Sequence, residues 1–149
     1  MKLAEALQER ADLNRRIQQL ENRLVNNALV QEGERPAEDP RELLDELDRN
    51  LDRLEELTSA INLCNCRTLC DGETLTAQIA RRDMLTIRLR ILRNLIQEAS
   101  QSARRARNSE IRILSTVNVK QLQKEVDELS RDLRLLDNAI QATNWSAEL

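Results

Sequence analysis

Apolar residues recur along this chain at alternating intervals of three and four. Leu3, Ala6, Arg10, Leu13, Ile17, Leu20 and Leu24 form a heptad seam interrupted only by Arg10. The run predicts a helix over residues 3–30, roughly 40 Å long. The stretch "EGERPAEDP" then breaks the period, with Gly33 able to end a helix and Pro36 and Pro40 opposing its continuation. Asp39 before Pro40 is an N-cap followed by proline at the first helical position. Leu44, Leu47, Leu51, Leu54, Thr58 and Ile61 renew the alternation and predict a second helix over 40–62. Asp71-Gly72 signals a turn, and Thr74 or Thr76 can cap the next helix.

The third helix, over 75–107, carries two stripes. Leu85, Leu89, Leu92, Ile96, Ala99 and Ala103 form one, and Met84, Ile87, Ile91 and Leu95 form the other. Together they span roughly 200° of the helix, more than one partner helix can cover. "SEIRILSTVNV" loses the helical period, and Ile111 and Ile113 suggest a short extended segment near 111–117. Asn118, with Gln121 three residues on, can open a fourth helix over 118–143. Its seam is Val119, Leu122, Val126, Leu129, Leu133, Leu136 and Ile140, and a short tail with Trp145 is expected after it. The fold class expected is all-α: an elongated antiparallel bundle, or coiled-coil hairpins, of about four helices in a single domain over 1–149.

Composition supports narrow helix–helix seams. The 149 residues include no Phe, no Tyr and one Trp, so the core must come from Leu, Ile, Val and Ala. The net charge of −3 gives no global bias toward nucleic acid or anionic membranes. Its distribution is uneven: residues 1–66 carry a net −6 and residues 81–112 a net +6. The main reading is segments that pack against each other or against a second subunit. A polyanion-binding surface on Arg81, Arg82, Arg88, Arg93, Arg104, Arg105 and Arg107 is the sharper alternative. "MKLAEALQERAD" lacks the apolar stretch of a signal peptide, and no run is long and apolar enough for a membrane span. A reducing cytoplasm is therefore expected. The "NWS" at Asn144 fits a glycosylation pattern that matters only in a secreted chain.

Chemistry is sparse. Cys64, Cys66 and Cys70 fall within seven residues. Without histidine they make a weak metal motif, and their spacing is not that of a zinc knuckle. A redox pair is a comparable alternative, and small packing residues at a helix end are the reading favoured. Cys64 and Cys66 could converge only if the chain were unwound there. Arg10, Arg81, Arg82 and Arg88 project from apolar faces. If buried they need carboxylate or amide partners, with Asn62, Asn65 and Asp83 as candidates. Arg10, Asn62, Asn65, Arg81, Arg82 and Arg88 are thus the candidate polar layer, or alternatively an anion site. No histidine, Gly-rich phosphate loop or Gly-flanked serine points to catalysis, so no enzyme and no cofactor are expected.

"MKLAEAL…RADL", "VQEGERPAEDP", "DGETLTAQIARRDML", "SEIRIL" and "LQKEVDELSRDLRLLDNAIQATNW" together resemble a family of small bacterial proteins of unknown function, sometimes labelled "septicolysin". The resemblance runs over nearly the whole chain. It implies an all-helical, oligomerising protein with no established activity, and the label alone implies a membrane-active cytolysin. In the family's loop between the second and third helices, Asn62, Asn65 and Thr68 match an "IN-x-x-N-x-x-T" pattern, to which the cysteines do not belong. The function expected is a non-enzymatic, self-associating scaffold or interaction module.

Overall fold

A computed structural model describes residues 1–101 and 111–149. Among these residues the protein is all-α, with four helices and one small hairpin: α1 (Leu3–Asn26), α2 (Pro40–Arg67), β1 (Leu69–Cys70), β2 (Glu73–Thr74), α3 (Leu75–Ala99) and α4 (Val119–Ser146). Contacts gather into two compact units. The first is Met1–Thr68 with Thr143–Leu149, and the second is Leu69–Ala142.

The first unit is an antiparallel pair of α1 and α2. Leu3, Ala6, Leu13 and Leu20 of the predicted seam are buried, while Arg10 and Ile17 are half-buried. On α2 the register differs from the one predicted. Leu43, Leu57, Ile61 and Cys64 are the buried residues, and Leu44 and Leu51 are exposed. Two overlapping three-four patterns are written into this helix. The buried one uses Leu43, Leu57 and Cys64, and it carries the helix past residue 62. Thr68 N–H donates to the Cys64 carbonyl at 2.9 Å to close the last turn. The Asp39 carboxylate caps the start by accepting from Arg41 N–H at 2.9 Å.

α1 stops before its predicted end because Asn27 competes for the backbone. Its amide donates to the Arg23 carbonyl at 2.8 Å and accepts from Glu38 N–H at 3.0 Å. The first turn is held from the other side, where Glu5 accepts from Lys2 N–H at 2.8 Å. The C-terminal residues are not a loose tail. α4 runs through Trp145, and Leu3 N–H donates to the Ala147 carbonyl while Leu149 N–H donates to that of Met1. Lys2 and Glu148 complete the clasp with an ion pair at 2.8 Å.

The second unit pairs α3 with α4. Leu75, Leu89, Val126 and Ile140 are buried. Asn118 caps α4 by accepting from Gln121 N–H at 3.1 Å, as predicted. Residues 111–118 form neither helix nor ladder strand. The predicted part of the third helix over 102–107 lies outside the described residues.

Leu57→Ala should cost about 2–5 kcal/mol in urea unfolding, because it opens a cavity in the seam. Leu63→Ala, on the exposed side of α2, should stay within about 0.5 kcal/mol.

Three ion pairs give the first unit a pH response. Glu9, Glu38 and Glu148 are held below their ordinary value of 4.5, first by hydrogen bonds from Arg53, Arg23 and Lys2. A carboxylate lowered in the folded state stabilises fully above its unfolded value, and the contribution is lost as pH falls through the folded value. The thermal midpoint should therefore begin to drop below about pH 4.5. Glu9→Gln with Glu38→Gln should flatten that drop, as a melting series in pH steps would read.

Candidate functional site

The turn Asp71-Gly72 sets the entrance to α3. Leu69 pairs with Thr74 and Cys70 with Glu73, leaving a two-residue loop. Both loop residues have positive φ, 51° at Asp71 and 85° at Gly72. That is the backbone of a tight hairpin whose twist matches its strands, and Asp-Gly is favoured there because Gly has no Cβ to clash. Thr74 ends the hairpin and caps α3, accepting from Ala77 N–H at 3.3 Å. Gln78 is buried one turn later. Its amide nitrogen donates to the Cys70 carbonyl at 3.0 Å, and its oxygen accepts from Arg81 Nη1 at 3.1 Å. Arg81 Nη2 then meets Glu73 at 2.9 Å. This chain of polar contacts ties the hairpin to the first turns of α3. Nothing in the sequence pattern marked Gln78, because a glutamine on a helix is usually solvated.

The sequence-predicted residues divide between the units. In the first, Arg10 sits half-buried on the α1 seam, Asn65 half-buried on α2, and Asn62 exposed on α2. In the second, Arg81 and Arg88 are exposed and Arg82 is half-buried. These three do not meet in one layer. Arg81 turns to Glu73, Arg82 to Asp83 at 2.9 Å, and Arg88 to Glu125 of α4 at 2.7 Å. Asp83 is a partner, as the sequence suggested. The physical reason for the scatter is direction: Arg82 stands about 100° around α3 from its neighbour Arg81, and Arg88 faces a different carboxylate one heptad on.

A groove of about 450 Å³ runs along one side of the α3–α4 pair. α3 contributes Arg82, Thr86, Leu89 and Arg93, spaced four, three and four apart and so on one face. α4 contributes Ser130, Leu133, Arg134 and Asp137. Arg93 Nη2 donates to Ser130 Oγ at 3.1 Å, and Thr86 Oγ donates to the Arg82 carbonyl at 2.9 Å. Arg82 Nη1 lies 3.9 Å from Asp137 Oδ1, within ion-pair range but beyond a hydrogen bond. Arg82 was foreseen here and Arg93 only as part of a general basic helix. Arg134 was missed, since an arginine on α4 reads as solvated until α3 is placed beside it.

The cysteines take three different places. α2 stays helical through Arg67, so Cys64 faces the seam and Cys66 faces outward. Cys70 is buried in β1, so Cys66 and Cys70 do not share a helix face. Among the described residues no three Cys, Asp or Glu side chains gather as a metal site. Asn144 is buried in the last turn of α4, a poor position for glycosylation.

A model described as a family of unknown function matches residues 10–149. That description carries no cytolysin label. No curated protein matches the chain. The chain is similar to the crystal structure of a functionally unknown conserved protein from Corynebacterium diphtheriae. The two share 36% identity with a TM-score of 0.94, over 100% of this chain and 98% of that one.

Gln78→Ala should cost about 1–3 kcal/mol, because the Cys70 carbonyl loses its partner. Chemical unfolding of the variant would measure it, and amide exchange at residues 69–78 should quicken.

Proposed function

The chain belongs to the family of unknown function DUF6847, and from that premise we propose a non-enzymatic helical-bundle protein that self-associates and acts as a scaffold or interaction module. One observation carries the reading. Met84, Ile87, Ile91 and Leu95, the second apolar stripe of α3, are 60%, 42%, 53% and 39% exposed. Ala77 and Ala80 extend the stripe toward the start of the helix, and both are exposed. The result is an uncharged face about 27 Å long. Leu135 of α4, which lines a second groove with Arg81 and Leu85, widens it. Contiguous apolar surface of this kind marks an interaction site.

The occupant proposed is a second copy of the same chain. A stripe without charge is complementary to itself, and its borders suit self-pairing. On one border Arg81 and Arg88 are already matched by Glu73 and Glu125 of their own chain. On the other, Asp83 and Arg90 stand one heptad apart. In an antiparallel α3–α3 pair related by a two-fold axis, each Asp83 faces the Arg90 of the other copy. Two α3–α4 pairs joined this way make a four-helix bundle.

A polyanion-binding surface on α3 is less well supported. Arg81, Arg82 and Arg88 each hold a carboxylate, and Arg104, Arg105 and Arg107 lie outside the described residues. No helix among the described residues is long and apolar enough to cross a membrane.

Sedimentation equilibrium at micromolar concentration should give a dimer or higher species for the natural chain. Ile87→Asp with Ile91→Asp should give a folded monomer with unchanged helicity, whereas Leu63→Asp should leave the assembly intact. A natural chain that sediments as a folded monomer throughout would defeat the reading.

A further inference from the structure

We propose that the groove lined by Arg82, Arg93 and Arg134 binds a small organic anion, its phosphate or carboxylate group held by Arg93 and Arg134 and its apolar part resting beside Leu89 and Leu133. The inference does not depend on self-association.

Three arginines from two helices line it, and Asp137 is the only carboxylate in the lining. Arg82 is already turned to Asp83 at 2.9 Å and stands 3.9 Å from Asp137, which leaves Arg93 and Arg134 without a carboxylate partner. Arg93 is satisfied by the neutral hydroxyl of Ser130 at 3.1 Å. Arg134 makes no hydrogen bond or ion pair among the described residues. The contrast lies on the same two helices, where Arg88 is matched by Glu125 at 2.7 Å. A planar guanidinium presents paired N–H donors to two oxygens of one carboxylate or phosphate, so unmatched arginines facing one space form a receptor for such a group.

The floor narrows the ligand class. Leu89 is only 1% exposed and sits between the Arg82 and Arg93 positions. A ligand held by Arg93 and Arg134 has Leu89 and Leu133 beside it in the lining, which favours an anion with a compact apolar body over an inorganic ion. A volume of about 450 Å³ lies in the usual range of small-molecule sites. Three arginines over three turns are also short of a track for a nucleic-acid strand. Counting 100° per residue, the groove face of α3 lies roughly 175° around the helix from the Met84–Leu95 stripe. A second copy seated on that stripe leaves the groove open.

The test is a titration of the isotope-labelled full chain by nuclear magnetic resonance at constant ionic strength. Phenyl phosphate, inorganic phosphate and phenol serve as probes. Phenyl phosphate should produce saturable shifts confined to amides near 82–93 and 130–137, with inorganic phosphate weaker at the same amides and phenol inert. Arg93→Gln and Arg134→Gln should each weaken phenyl phosphate about tenfold, the loss of one charge-assisted hydrogen bond. Arg134→Lys, which keeps the charge and removes the fork, should weaken it several-fold. Arg131→Gln removes the same charge from α4 outside the groove and should change little. Absence of saturation at millimolar phenyl phosphate, or an equal loss in Arg131→Gln, would overturn the proposal. Sedimentation of the same samples separates a failure here from a failure of self-association.

Discussion

A pair of helices can bury one stripe on each partner, and each unit of this protein is built on such a pair. The limit explains the narrowness of the cores. In the first unit, Leu13, Leu20, Leu57 and Ile61 are buried along the α1–α2 pair, and all four are aliphatic. Fully burying a leucine or isoleucine contributes about 1.5–3 kcal/mol, so a few such residues carry most of the stability. The same limit leaves α3 with more apolar surface than α4 can cover. Its second stripe is the surplus, and the proposed self-association follows from it.

Arginine does three kinds of work around these seams. Arg53 grips Glu9 with two hydrogen bonds, at 2.7 and 3.1 Å, and Arg23 grips Glu38 in a similar forked pair. Solvent screens exposed pairs of this kind, so they orient the α1–α2 pair more than they hold it. Arg81 acts through Gln78 and Glu73 to seat the hairpin on α3. Arg93 and Arg134 do neither, because no carboxylate meets them in their groove. The difference between an arginine that locks a fold and one that can receive a ligand lies in what stands opposite it.

Much of the architecture was legible because heptad spacing and caps are local signals. Asp39, Thr74 and Asn118 cap the helices they were expected to cap, and Asp71-Gly72 turns the chain where a turn was expected. The hairpin itself was not legible, since two residues per strand leave no alternation to read. The register of α2 was not legible either. Leu43 and Leu44 both fit a three-four pattern, and only the α1 surface chooses between them. The ends of α1 and α2 moved for the same kind of reason, through the side chain of Asn27 and the burial of Cys64.

The candidate site shows the boundary more sharply. Arg82 stood out because it sits on an apolar face, and it belongs to the second unit, whereas Arg10, Asn62 and Asn65 belong to the first. Arg93 and Arg134 are separated by forty-one positions in the chain and share one groove. By itself the sequence determined helix content, the caps, the narrow aliphatic cores and the excess apolar arc of α3, because each depends on residues within a turn or two of one another. The tertiary structure alone decided which α2 face is buried, which carboxylate each arginine meets, and where two arginines are left facing the same space. Those outcomes depend on what another helix brings alongside, and no local pattern records that.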